Sequence, residues 1–301
     1  MTRPFADRLM EKVRMYGPLC VGIDPHPHLF PGLFGQANAG SIAVWADGII
    51  EAAAGHVAVI KPQIAFFERL GSTGIAALEH ICKTARNADL LVLLDAKRGD
   101  IGSTAKGYAD AYLSDSAPLP VDALTVNPFL GLETVDPFID AAAATGRGVA
   151  VLTRTSNPGA ADIEEQIVDG TPIYLTLAKA LSDRGNALKG QSESWSGLMM
   201  VAGATAPSEA RAIREAAPDN LLLVPGYGTQ GAGADAAVAG FIPGKDGTLE
   251  GGVVNASRSV TFPDAAQSAT TTEAWQSAIR EAILRAQDDL NRATRRGPRQ
   301  L

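Results

Sequence analysis

The residues best suited to chemistry lie where the apolar segment Leu91-Val-Leu-Leu runs into Asp-Ala-Lys-Arg-Gly-Asp. This motif contains Asp95, Lys97 and Asp100. If the apolar segment is a strand, residues i and i+2 point to the same side, so Asp95 and Lys97 would meet at its end. Burial beside a second acid would keep Lys97 protonated, and such a cation can protonate a carbon on which negative charge develops. The motif alone leaves open an ordinary structural ion pair.

Two further apolar segments also end in charged residues. Lys61 follows His56-Val-Ala-Val-Ile, and Asp24 follows Leu19-Cys-Val-Gly-Ile. A helix-like segment comes after each of the three charged strand ends. Because a closed parallel barrel gathers the carboxyl ends of its strands on one face, this repetition predicts an active site there.

The alternation of eight short apolar segments with helix-like segments predicts an α/β fold, a (β/α)8 TIM barrel. The 301 residues contain no internal linker, so a single domain over 1–301 is expected. A polar insertion is predicted around 157–195, near the mouth of the site, and a C-terminal helix and tail from about Thr272. The predicted strands span residues 18–24, 57–61, 89–95, 121–126, 148–153, 197–202, 220–225 and 251–257.

A glycine-rich turn and an arginine at the last two strand ends predict a phosphate site. The turn Gly226-Tyr-Gly-Thr-Gln-Gly-Ala-Gly233 allows backbone N–H groups to approach an anion, and its Gln230 can donate a hydrogen bond. Arg258 follows the eighth strand. Barrels of this class often hold a phosphate between these two loops, where a guanidinium can bind it with two hydrogen bonds. A phosphorylated ligand is therefore predicted, although such a turn alone can also be a tight connection.

Composition narrows the classes of partner. With 26 basic and 33 acidic residues the net charge is −7, which argues against a general nucleic-acid surface. No apolar stretch approaches the roughly 20 residues that span a bilayer. Cys20 and Cys82 form neither a C-x-x-C pair nor a disulfide framework, so a cytoplasmic location is expected. His26-Pro-His28 supplies too few ligands for a metal site, and none is predicted.

The motifs at the strand ends resemble those of the orotidine 5'-phosphate decarboxylase family. Their sequences are similar to those of the longer bacterial branch of that family. The resemblance extends over nearly the whole barrel and is most specific in Asp-Ala-Lys-Arg-Gly-Asp-Ile, which begins at Asp95. It is supported by Asp24-Pro, Lys61-Pro-Gln, Ser156-Asn-Pro-Gly, Pro225-Gly-Tyr-Gly-Thr-Gln and Ser257-Arg. It implies that the protein decarboxylates orotidine 5'-phosphate to uridine 5'-phosphate, in de novo pyrimidine biosynthesis, without a cofactor.

The resemblance also implies a role for each site residue. Lys97 would donate a proton to C6 of the pyrimidine, within an alternating array of charges completed by Lys61, Asp95 and Asp100. The implied substrate-binding residues are Asp24 and Thr104 at the ribose hydroxyls, Ser156 at the pyrimidine edge, Gln230 and Arg258 at the phosphate, and Ile101 and Pro207 at the base. In this family Asp100 and Thr104 act across the interface, so a homodimer is implied.

Two other functions remain open at this point. The first is a metal-dependent sugar-phosphate decarboxylase or synthase on a related barrel, since such enzymes also carry a D-x-K-x-x-D pattern. Lys61 argues against it, because those enzymes place a carboxylate at that strand end to hold Mg²⁺, and a lysine would repel the ion. The second is a catalytically silent nucleotide-binding barrel. A pure binder would not need to confine Lys61, Asp95, Lys97 and Asp100 together.

Overall fold

The computed structural model describes residues 3–228 and 231–296. In those residues eight parallel strands form a closed barrel in which each strand pairs with its neighbours in the sequence, and the first pairs with the last. The predicted (β/α)8 barrel is confirmed. Its strands are β1 (Leu19–Ile23), β2 (Val59–Pro62), β3 (Leu91–Arg98), β4 (Ala123–Val126), β5 (Gly148–Arg154), β6 (Ser196–Ala202), β7 (Asn220–Val224) and β8 (Gly252–Ala256).

Helices surround the barrel and follow its strands. The longer ones are α1 (Phe5–Tyr16), α2 (Ala39–Ala53), α3 (Gly71–Asn87), α4 (Gly102–Leu113), α5 (Asp136–Thr145), α6 (Ile173–Arg184), α7 (Pro207–Ala216) and α8 (Thr272–Arg296). One-turn helices span Ala65–Glu68, Ala234–Ala237, Arg258–Thr261 and Asp264–Gln267. Within the described ranges, none of the helices combines the length and the apolar character needed to cross a membrane.

Side chains fill the barrel interior and close its amino end. Cys20, Val59 and Leu93 point into this inner layer, where helix α1 adds Phe5 and Leu9. A Cβ atom on Gly148 would lie 2.4 Å from the ring of Phe5, so the glycine allows α1 to seat against the strands. With the amino end covered, the carboxyl ends of the strands form the face that is left for a site.

The alternation of side chains along β3 carries its acid into the barrel. Leu91 and Leu93 belong to the inner layer, whereas Val92, Leu94 and Ala96 pack in the outer layer beneath the helices. Asp95 continues the inward series and is buried at the carboxyl end of the strand. The same alternation places Ala96, between Asp95 and Lys97, in the outer layer beneath the helices.

The segment predicted as an insertion, 157–195, contains a regular barrel helix and extra chain. Helix α6 occupies the usual place between β5 and β6. The chain before it forms a 3-10 helix at Pro158–Asp162 and a hairpin that pairs Ile167–Val168 with Thr171–Pro172. We call residues 157–172, which lead from the loop after β5 to the start of α6, the strap.

Candidate active site

The carboxyl ends of the strands surround a cavity of about 460 Å³. Six of the predicted site residues line it: Asp24, Lys61, Asp95, Lys97, Ser156 and Arg258. Asp24 follows β1, Lys61 lies on β2 and Asp95 on β3. The barrel thus gathers in one place residues that lie far apart in the chain.

Asp95 lies between the two lysines. Its Oδ2 accepts a hydrogen bond from Lys61 Nζ at 2.7 Å, and its Oδ1 accepts one from Lys97 Nζ at 2.5 Å. Lys61 is only 5% exposed, whereas 46% of the Lys97 side chain is accessible. Lys97 is therefore the cation that an incoming molecule can reach, and Lys61 supports the carboxylate from behind.

The environment keeps both buried groups of this array charged. Burial alone would raise the pKa of Asp95, but the charges and hydrogen bonds of Lys61 and Lys97 hold it well below its ordinary value. Burial alone would lower the pKa of Lys61, but Asp95 and then Asp24 raise it above its ordinary value. The carboxylate and the buried ammonium are fixed charges at neutral pH, present before any ligand arrives.

A bulge in β3 presents Lys97 to the cavity. Between the pairs Leu94–Leu124 and Arg98–Val126, β3 advances by four residues while β4 advances by two. Lys97 itself has φ 49°, in the left-handed region that side chains other than glycine seldom occupy. A backbone held in this way costs about 1–3 kcal/mol and is most often found at functional sites.

Thr125 on β4 stabilises this bulge and the array together. Its Oγ1 accepts hydrogen bonds from the N–H groups of Ala96 at 2.9 Å and Lys97 at 2.8 Å. The same hydroxyl donates to Asp95 Oδ1 at 3.1 Å. One buried side chain thereby replaces strand hydrogen bonds lost at the bulge and orients the carboxylate.

The wall of the cavity formed by the ends of β1 and β8 carries two buried oxygens that make no hydrogen bond among the described residues. Asp24 Oδ1 and Asn255 Oδ1 are buried and have no hydrogen-bond partner among the described residues. Asn255 Nδ2 donates to Ser257 Oγ at 3.2 Å. A Cβ atom on Gly22 would lie 1.9 Å from that Oγ, so glycine is required there. Unsatisfied buried oxygens beside a cavity indicate a ligand that donates hydrogen bonds.

The predicted phosphate site lies at the ends of β7 and β8. Gly226 and Gly228 have φ 100° and 80°, which places the turn in conformations that favour glycine. Tyr227 lines the cavity, and its hydroxyl donates to Asp289 Oδ2 on α8 at 2.8 Å. Arg258 is exposed at the cavity wall. Gln230, the other predicted phosphate ligand, lies outside the described residues.

Four predicted residues do not line this cavity. Asp100 Oδ1 accepts a hydrogen bond from the N–H of Ile101 at 2.8 Å, and Ile101 is 61% exposed. Thr104 is exposed on α4. Pro207 is the first residue of α7, where proline suits the start of a helix, and its contact with a base stays a prediction.

Several cavity residues were missed from the sequence. They are His26, Thr125, Leu152, Thr155, Asn157, Val201, Leu223, Tyr227, Asn255 and Ser257. The sequence could have indicated Thr125 and Asn255, because each is a polar residue inside a short apolar strand. His26 contacts Phe66 edge to face, with 4.6 Å between the ring centroids. Burial lowers the pKa of His26; Asp24 acts to raise it, and His28 and Arg258 lower it further.

The acids and histidines around the cavity do not form a metal centre. In the described ranges, no three His, Cys, Asp or Glu side chains are grouped so that they could hold an ion. The most buried acid of the cavity, Asp95, already binds two ammonium groups.

Comparison with known proteins decides the family. A model of the "Orotidine 5'-phosphate decarboxylase / HUMPS family" matches residues 17–272. The chain belongs to this family. The match covers every barrel strand, from Leu19 to Ala256, so the family assignment applies to the whole barrel.

Curated decarboxylases and solved structures agree with this assignment. The orotidine 5'-phosphate decarboxylase of Rhodopirellula baltica is 36% identical over 95% of this chain and 98% of its own. That of Salinispora arenicola is 45% identical over 76% of this chain and 81% of its own. The OMP decarboxylase structure of Leishmania donovani, at 27% identity, has a TM-score of 0.73 and covers 95% of this chain and 99% of its own.

Proposed function

We propose that this protein is an orotidine 5'-phosphate decarboxylase, which converts orotidine 5'-phosphate to uridine 5'-phosphate and CO2 in pyrimidine biosynthesis. The proposal is supported by the family and by the named relatives. The observation that carries the chemistry is the array in which Asp95 lies between a buried Lys61 and an accessible Lys97.

The reaction breaks the bond between C6 of the pyrimidine and its carboxylate carbon. CO2 leaves, and the electron pair of that bond stays on C6, where the ring delocalises it poorly. Fixed positive charge is therefore needed beside C6, and Lys97 is the accessible cation that supplies it. Lys97 Nζ then gives a proton to C6 and is reprotonated by water, which leaves uridine 5'-phosphate.

The remaining residues hold the nucleotide. Asp24 accepts hydrogen bonds from ribose hydroxyls, which fits its buried and unpartnered Oδ1 among the described residues. Asn255 Oδ1, which also has no partner among the described residues, can accept a further one. Ser156 binds the pyrimidine edge, and Arg258 with Gln230 binds the phosphate. The phosphate lies far from the bond that breaks, so its binding energy serves to orient the substrate and close the site.

We further propose a homodimer in which Asp100, Ile101 and Thr104 serve the partner's site. The support is that these side chains do not line the cavity of their own protomer and that Ile101 is 61% exposed. Two large apolar side chains in the loop after β4 are also exposed, with Phe129 at 75% and Leu130 at 54%. Large apolar side chains exposed to this extent suit a protein interface.

A second cavity, of about 870 Å³, is the place where we expect the partner's segment to enter. It shares Lys97, Leu152, Thr155 and Asn157 with the first cavity. Its other walls include Phe129, Leu132 and Ile163. An aspartate that arrived through it would reach the exposed face of Lys97. The array would then alternate as Lys61, Asp95, Lys97 and the partner's Asp100.

The sugar-phosphate and silent-binder alternatives are less consistent with this site. The ammonium of Lys61 is 2.7 Å from the acid that a Mg²⁺ would need, and a divalent ion there would meet two positive charges. A silent binder would gain nothing from a strained Lys97 held against a buried carboxylate. A cytoplasmic location also remains our proposal, and the two buried free thiols suit a reducing compartment.

The test is decarboxylation of orotidine 5'-phosphate by the purified protein before and after exhaustive treatment with EDTA. We expect full activity in both samples, because two lysines stand where a metal enzyme needs acids. Activity that is lost and then restored specifically by Mg²⁺ would support the sugar-phosphate alternative instead. Binding of uridine 5'-phosphate without turnover would support the silent binder.

A further inference from the structure

The strap carries a glutamate that is bonded to the loop at the end of β5. Glu164 Oε2 accepts a hydrogen bond from the N–H of Thr155 at 2.8 Å. Its Oε1 lies 2.8 Å from Thr155 Oγ1, whose one proton it shares with Asn157 Oδ1 at 2.7 Å. Both oxygens of one carboxylate therefore hold one residue. Thr155 and the two residues after it, Ser156 and Asn157, line the cavity.

Glu164 is itself held from two directions. Its carbonyl oxygen accepts a hydrogen bond from the N–H of Tyr174 in α6 at 2.9 Å, and its N–H donates to Ala160 O at 2.8 Å. The carboxylate lies 3.8 Å from the guanidinium of Arg154, which is only 8% exposed. The strap therefore presents this carboxylate from a fixed backbone.

Ser156 lies between this anchor and the end of β6. A Cβ atom on Gly203 would lie 2.9 Å from Ser156 Cα, so the two backbones are in close contact. The N–H of Gly203 donates to Arg154 O at 2.8 Å, and Thr205 Oγ1 approaches Ser156 O at 3.4 Å. The position of Ser156 is set by Gly203 on one side and by Thr155 on the other.

We propose that Glu164 is a positioning residue: through Thr155 it holds Ser156 against the pyrimidine, so the strap sets recognition of the base. This inference rests on the proposed function, which gives Ser156 its place at the pyrimidine edge. Hydrogen bonds to a carboxylate are stronger than neutral ones, so the bonds from the N–H and the hydroxyl of Thr155 can fix the loop. Loss of Glu164 frees Ser156 and removes no hydrogen bond of the array or of the phosphate end, since Glu164 lines the second cavity and not the first.

The neighbouring acid provides a matched control. Glu165 pairs with Arg154 as well, but among the described residues it makes no hydrogen bond to Thr155, and 39% of its side chain is exposed. Glu165→Ala therefore removes an acid of the same strap without removing the anchor of the loop.

The test compares binding of uridine 5'-phosphate with binding of ribose 5-phosphate, which lacks the base, by calorimetry on the full-length protein. We expect Glu164→Ala to weaken uridine 5'-phosphate about tenfold and to leave ribose 5-phosphate unchanged. Glu164→Gln keeps an acceptor for the N–H of Thr155 and should restore most of the loss, whereas Glu165→Ala should change neither ligand. The Michaelis constant for orotidine 5'-phosphate should rise in Glu164→Ala in parallel.

An unchanged affinity ratio in Glu164→Ala, or the same shift in Glu165→Ala, would overturn the role of Glu164. If Glu164→Ala does not fold, Thr155→Val removes one of the two bonds, and an unchanged ratio there would overturn the proposal equally. Failure of the proposed function is distinguishable, because the wild type would then not decarboxylate orotidine 5'-phosphate at all.

Discussion

The two sides of the cavity differ in how far the chain itself satisfies their polar groups. On the side of β2, β3 and β4, Lys61, Asp95, Lys97 and Thr125 satisfy one another through bonds of 2.5 to 3.1 Å. On the side of β1 and β8, Asp24 and Asn255 each keep a buried oxygen without a partner among the described residues. We propose that the first side is organised for chemistry before the substrate arrives and that the second is completed by the substrate.

This difference fits a reaction that depends on fixed charge. Charges that are already in place need no reorganisation when the carbanion forms, so a rigid array lowers the barrier. A binding surface gains specificity from buried polar groups that only the correct ligand satisfies, because any other ligand leaves them without a hydrogen bond. Substitutions on the two sides should accordingly affect different kinetic constants.

The largest effect is expected from Lys97→Ala. Removing both the charge and the proton donor should lower turnover by roughly four orders of magnitude or more, while binding of uridine 5'-phosphate stays measurable. Lys106→Ala is the control, because Lys106 lies exposed on α4 and pairs with Asp110. Turnover near that of the wild type in Lys97→Ala would remove Lys97 from the mechanism.

A smaller loss of turnover is expected from Thr125→Val. Valine has nearly the same shape, but it leaves two N–H groups and Asp95 without their shared partner, so turnover should fall about tenfold to a hundredfold. Thr145→Val is the control for stability, since Thr145 is also buried and donates to Leu113 O at 2.8 Å, away from the cavity. Equal melting temperatures with unequal turnover would sharpen the comparison, and unchanged turnover in Thr125→Val would break it.

The binding side should respond in affinity rather than in turnover. Arg258→Ala should weaken uridine 5'-phosphate by about tenfold to a hundredfold and leave uridine unaffected, because only the nucleotide carries the phosphate. Arg285→Ala is the control, since Arg285 lies in the neighbouring cleft and pairs with Glu281. Equal losses for nucleoside and nucleotide would mean that Arg258 does not hold the phosphate.

The sequence predicted one side of the site better than the other, and the reason is geometric. The period of two in a strand and the gathering of strand ends in a barrel are general rules, so Lys61, Asp95 and Lys97 could be placed together from their spacing. The left-handed backbone of Lys97 could not be predicted, since it depends on a bulge against β4 and on Thr125. Glu164 was missed because its contact with Thr155 depends on the path of the strap.

Asp100 does not line the cavity of its own chain, and the proposed homodimer gives it a place in the partner's site. Inactive Lys97→Ala and Asp100→Ala chains, each with its own tag, can be co-refolded, and the mixed dimers isolated through both tags. In a twofold dimer that shares Asp100, each mixed dimer has one site that lacks both groups and one that keeps both. Random pairing makes about half of the dimers mixed, so about a quarter of all sites should be intact.

Activity of these purified mixed dimers in decarboxylation of orotidine 5'-phosphate tests the central claim most directly, provided that each parent alone is nearly inactive. We expect about half of the wild-type activity per mixed dimer, because one of its two sites is complete. If Asp100 acted within its own chain, every site would lack one group, and mixed dimers as inactive as their parents would contradict the shared site.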